Sequence, residues 1–146
     1  VGLFDLFSSK NEDSRRSYLK ELIKVAKADG RLEKREYDFI LAIGQRLSCS
    51  PEEVEQLSNQ VPVDSSEDSQ HHRKQRLKLL FDTVAIMMID DDIDPKELNL
   101  CKSIAMKSGF EHQVIDDIVY RINTLTKAGK SVEEACEEAF QVYNQV

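Results

Sequence analysis

No apolar run in this 146-residue chain approaches the roughly 18 uninterrupted residues that a membrane-spanning helix needs. Cysteine is scarce and odd in number. Cys49, Cys101 and Cys136 show no CxxC spacing, and a chain of this length needs no disulfide staples, which points to a reducing compartment. There is no glycine-rich phosphate loop, no GxSxG and no zinc-ligand spacing. Positive charge is in deficit: 20 Lys and Arg stand against 27 Asp and Glu, a net charge of −7. General nucleic-acid binding, which relies on Lys and Arg neutralising phosphates, is thereby excluded. The opening residues Val1 to Phe7 lack a basic flank and carry Asp5 within their apolar run, so they do not read as a signal peptide. The expected location is cytoplasmic, with a peripheral position at the inner membrane as the alternative.

What is present is a globular composition, 40% hydrophobic and 32% charged, at a length that suits one domain. Strand alternation is not evident, whereas three- and four-residue apolar spacing recurs throughout, so the class is all-α. Tyr18, Leu19, Leu22, Ile23, Val25 and Ala26 form one inward stripe, stopped by Asp29-Gly30. A second helix is expected over about Glu33 to Leu47. Ser50-Pro51-Glu52-Glu53 supplies a cap, a first-turn Pro and a third-position acid for a short third helix. Residues 61–70 form a polar connector. A long helix follows over about His71 to Ile89, a fifth opens at Asp94-Pro95, a sixth spans about Glu111 to Lys127, and Ser131 caps a last one.

A shift of 61 residues lays Asp29 to Glu36 over Asp90 to Glu97. Each copy has an acid ending one helix, an aliphatic residue three later, and Glu seven later inside the next. Asp29 and Asp90 therefore sit where the helix dipole disfavours a carboxylate, by roughly 0.3–1 kcal/mol. Asp90, Asp91, Asp92 and Asp94 crowd four carboxylates into five residues. A hard divalent cation with oxygen ligands, of the Ca or Mg type, would relieve that repulsion. Helix capping gives a second reading, in which Asp94 and Glu97 form a capping box without metal. An EF-hand is rejected. Its first two ligand positions would fall on Val25 and Lys27, and in the second copy on Ile86 and Met88, within inward helical stripes.

Other candidates are weaker. His71 and His72 diverge by about 100° on a helix and read as a solvated first turn. Cys101 and Cys136 fall on apolar helix faces, leaving Cys49 as the thiol expected to be exposed. Leu3, Phe4, Leu6 and Phe7 are expected to dock on the core or to contact a partner or membrane.

The helix ending in Ala28-Asp29-Gly30, then Arg31-Leu32 and Glu36, echoed from Asp90 to Glu97, resembles the TerB-like family over about Tyr18 to Tyr120. That family includes bacterial tellurite-resistance proteins and the amino-terminal domain of a membrane-anchored DnaJ-type co-chaperone. The resemblance implies about seven helices in two pseudo-symmetric units and a non-enzymatic role in tellurite and other stress. It also implies a divalent cation held by acidic residues, carried here onto Asp29, Glu36, Asp90 and Glu97, with Asp92 and Asp94 as auxiliaries. Asp91 stands where the motif has Gly. The function so read is a cation-binding or partner-binding module of bacterial stress response. The alternative is a metal-free helical adaptor whose acidic face recruits a basic or membrane-associated protein.

Overall fold

The computed structural model describes residues 12–61, 73–89 and 93–144. Among the described residues there are seven helices and no strand: α1 (Glu12–Ala26), α2 (Lys34–Arg46), α3 (Pro51–Gln60), α4 (Arg73–Ile89), α5 (Pro95–Lys107), α6 (Gln113–Lys127) and α7 (Val132–Asn144). Expectations for Leu3, Phe4, Leu6, Phe7, residues 62–70, His71, His72 and Asp90 to Asp92 lie outside the described residues.

Local chemistry sets the helix starts. At α3 the Ser50 hydroxyl accepts from the Glu53 N–H at 3.2 Å while the Glu53 carboxylate accepts from the Ser50 N–H at 3.4 Å. Ser131 and Glu134 repeat that reciprocal box at α7, at 3.1 and 3.2 Å. Each box satisfies two otherwise orphaned N–H groups of a first turn. At the start of α5, Asp94 accepts from the Lys96 N–H at 2.9 Å.

The 61-residue register reappears in the backbone. It carries Lys34–Arg46 onto Pro95–Lys107, places α1 within the span of α4, and lays α3 over His112–Arg121 at the start of α6. Both second helices end alike: Cys49 N–H donates to Gly44 C=O at 2.8 Å, and Phe110 N–H to Ala105 C=O at 3.0 Å. The residue before each donor is left-handed, Ser48 at φ 63° and Gly109 at φ 90°. Between the units, α1 packs on α5 as α2 packs on α4.

Helix α4 runs through the centre. Ten of its residues between Leu77 and Met87 are buried, around its whole circumference, so it has no solvated face to spare. The last helix supplies the missing cover: α7 packs on α4 and α6. Phe140 and Tyr143 meet the Phe81 ring edge-on at 5.5 and 5.7 Å. The register explains why only the second unit needs this helix. Phe81 and Asp82 are buried, whereas their counterparts on α1, Lys20 and Glu21, are exposed to water. One polar link crosses the core between units, from Tyr18 to Thr83. Thr83 gives its own proton to Leu79 C=O at 2.7 Å, so the Tyr18 hydroxyl is the donor.

Candidate functional site

The first acidic corner is built around a lysine. Lys107, the last residue of α5, reaches across to the end of α1. Its Nζ lies 2.8 Å from Ala26 C=O, 2.8 Å from Arg31 C=O, 2.8 Å from Glu36 Oε1 and 3.3 Å from Asp29 Oδ1. Three short contacts match the three protons of an ammonium, with Asp29 adding charge at longer range. Its position also suits a cation, because the Ala26 carbonyl belongs to the negative end of the α1 dipole. Glu36 accepts in addition from the Glu33 N–H at 3.2 Å, which ties α2's first turn to the same oxygen.

The second pair is the register counterpart of the first. Glu97 stands 61 residues after Glu36, and Lys107 stands 61 after Arg46. The structure pairs them crosswise: Glu36 with Lys107 at 2.8 Å and Glu97 with Arg46 at 2.8 Å. Each unit thus lends its second helix's terminal cation to the other unit's first-turn glutamate. The Glu36 side chain is only 4% exposed and that of Glu97 17%, so both pairs act at low effective dielectric.

The structure places the described members of the expected ligand set in two separate ion pairs and a helix cap. Asp29 and Glu36 do come together, but on Lys107. Glu97 turns to Arg46, in place of the capping box expected with Asp94, and Asp94 itself caps α5. Asp90 and Asp92 are outside the described residues. Among the described residues, no group of three or more His, Cys, Asp or Glu is arranged to hold a metal ion.

Asp29 titrates as its surroundings require. Slight desolvation raises its pKa, but the Arg31 N–H and the Lys107 ammonium outweigh it and hold the carboxyl below the usual range. Cys49, expected to be exposed, is buried, and desolvation raises its thiol pKa. Burial likewise pushes Cys101 up to about 12 and raises Cys136. None of the three thiols has the electropositive, accessible setting that makes a nucleophile.

Family comparison bears on the first unit. A family model described as "Tellurite resistance protein TerB" matches residues 4–59. Residues 4–59 are a TerB family domain. The TerB segment takes in α1, α2 and nearly all of α3, and stops short of the second unit that the sequence resemblance had included. Glu36 lies inside the TerB segment and Lys107 outside it, so this ion pair fastens the segment to the rest of the chain. No curated protein and no solved structure matches the chain. No helix among the described residues is long and apolar enough to cross a membrane.

Two features escaped the sequence reading. Lys107 and Arg46 were not singled out, although the same register that aligned the glutamates aligns these two cations. Asp82 lies in the long helix expected over about His71 to Ile89 and carried no expectation of its own. It is buried 3.1 Å from Lys78, which also holds Glu137 of α7 at 2.8 Å. Burial pushes the Asp82 carboxyl up to about 6, against the pull of Lys78.

Proposed function

We propose that this protein is a non-enzymatic, partner-binding helical module of the tellurite-resistance type, and that its first acidic corner works without a metal. The observation that supports this reading is Lys107 Nζ seated among Ala26 C=O, Arg31 C=O, Glu36 and Asp29. An ammonium delivered by the chain itself neutralises the charge that had called for a divalent ion. In this reading the corner acids hold the two units together, and recognition belongs to the outer surface of a rigid body. The net charge of −7 favours a basic protein as the partner.

Titration calorimetry with calcium, magnesium, manganese and zinc, with melting in and without EDTA, tests the metal-free part. The expected outcome is no heat and no melting shift for the wild type. A bound ion at 100 times its dissociation constant would add about 2.7 kcal/mol of stability, readily seen as a shift in Tm. Pull-down of a basic partner in EDTA, weakening as salt rises, tests the recruiting part.

A divalent-cation reading draws on the same four oxygens, which are of the hard type that Ca and Mg take. It requires the ion to displace Lys107. Lys107→Met would then bind the ion more tightly than wild type, and metal would restore the stability that the substitution removes.

A further inference from the structure

On the surface of the first unit, where the end of α2 meets the start of α3, lies an open groove of about 600 Å³. Leu41, Ala42, Cys49 and Pro51 give it an apolar floor and wall, and Asp38 and Glu53 are the two charged residues of its lining. Resting on the partner-binding reading above, we infer that this groove docks a basic amphipathic segment of a partner protein, an apolar side chain entering between Leu41 and Pro51 with flanking Lys or Arg meeting Asp38 and Glu53.

Charge complementarity and the contrast between the two units both favour this occupant. Helix α3 adds exposed Glu52 and Glu55 beside the groove and contains no basic residue. The rim acids are held only loosely by the chain's own cations. Asp38 is 3.9 Å from Lys34 and Glu53 is 3.4 Å from Arg16, in exposed pairs that an incoming cation can replace. At register-equivalent places the second unit has bulk or charge. Phe110 stands for Cys49 and is covered by the Arg73 guanidinium at 4.3 Å, while Lys102 stands for Leu41 and is tied to Asp116 at 3.1 Å. The first unit instead keeps small and apolar groups there. It also keeps Ser48, which lines the groove at φ 63° where the second unit has Gly109, so a strained residue is retained at this place. The occupant therefore combines an apolar anchor with positive charge, as an amphipathic helix laid into a groove does.

The probe is a fluorescein-labelled 14-residue peptide of Leu and Lys in helical amphipathic spacing, with a Leu–Glu peptide as control, against the full chain. Fluorescence polarisation should show saturable binding of the Lys peptide alone, with amide shifts on titration concentrated between residues 38 and 53. Ala42→Arg should weaken binding at least tenfold. Asp38→Asn with Glu53→Gln, which preserves the capping box, should weaken it about threefold or more and flatten its salt dependence. Glu134→Lys with Glu138→Lys, on distant α7, should leave it within twofold. Thermal melting of each variant separates lost binding from lost fold, and the amide map in wild type stands independently of any variant. Shifts centred elsewhere remove the groove while leaving partner binding intact. No binding of the Lys peptide also overturns the groove, whereas the metal-free pull-down alone decides the wider reading. Concentration-dependent self-association that blocks the peptide would give the groove to a second copy of this chain and overturn the inference.

Discussion

Replacing Lys107 by Met keeps most of the aliphatic stem and deletes the ammonium on which the first corner converges. What is lost follows from the surroundings. The Lys107 and Glu36 side chains are 14% and 4% exposed, so the substitution strands a carboxylate that water cannot solvate. Breaking a buried pair from one side costs about 3–5 kcal/mol, against less than about 1 kcal/mol for an exposed pair. A domain of this size has about 5–15 kcal/mol in total. At about 2–4 °C per kcal/mol, Tm should fall by about 6–20 °C. Urea unfolding should show the same loss in midpoint with an unchanged m-value, since the surface exposed on unfolding is the same. Glu36→Gln is the companion. It leaves Lys107 with two carbonyls and Asp29, and should cost about 1.5–3 kcal/mol, the usual worth of a hydrogen bond to a charged group. The double variant should be at least about 1 kcal/mol more stable than the sum of the single losses predicts, because the stranded charge is gone. A loss under about 1 kcal/mol for Lys107→Met, or strict additivity in the cycle, would refute the reasoning.

Asp82 has a folded-state pKa of about 6, raised above the unfolded value of 3.8 chiefly by burial. Its protonation therefore stabilises the fold below about pH 4, and that contribution, on the order of 3 kcal/mol, is lost as pH rises through 6. Asp82→Asn should remove this slope in unfolding experiments between pH 4 and 7, and an unchanged slope counts against it. Ser48→Gly should stabilise by about 1 kcal/mol, since Ser is left-handed there at φ 63° and Gly takes that conformation without strain; chemical denaturation measures it. Gly44→Ala sets two effects against each other. Helix propensity favours Ala by about 1 kcal/mol, but the new Cβ would lie 2.9 Å from Val54 Cγ2, and overpacking costs about 1–3 kcal/mol. Val54 is β-branched and stiff, so crowding should win, and Val54→Ala in the same chain should relieve it.

The helices were legible because their signals are local. Ser50-Pro51 and Asp94-Pro95 mark starts that lie within a few residues of their caps, and the stripe from Tyr18 to Ala26 is buried as its spacing requires. Cys49 was misread for a non-local reason. A residue just before a cap usually meets solvent, but here the chain folds back after α2, Cys49 N–H bonding to Gly44 C=O, and the side chain is buried. Asp82 was hidden in the opposite way. Its neighbours announce an apolar helix, and only the docking of α7 brings Glu137 and Cys136 to face it beside Lys78.

The acids at the corners show how far a one-dimensional pattern reaches. Periodicity put Glu36 and Glu97 at matching places, and repulsion among carboxylates raised the question of what neutralises them. A sequence lists charges in chain order, whereas neutralisation depends on which helix ends cross. Here the partners are 71 and 51 residues away. They become neighbours because α2 packs on α5 start to end, so that the last residue of each helix meets the first turn of the other. That arrangement turns one short pattern into two crossed bridges. A glutamate with a register-related cation can be neutralised inside the fold, and the first corner is further closed by two backbone carbonyls. A pattern of acids thus poses the same question whether the answer is a bound ion or a lysine, and the decisive signal is a basic residue at the same helix end in both units.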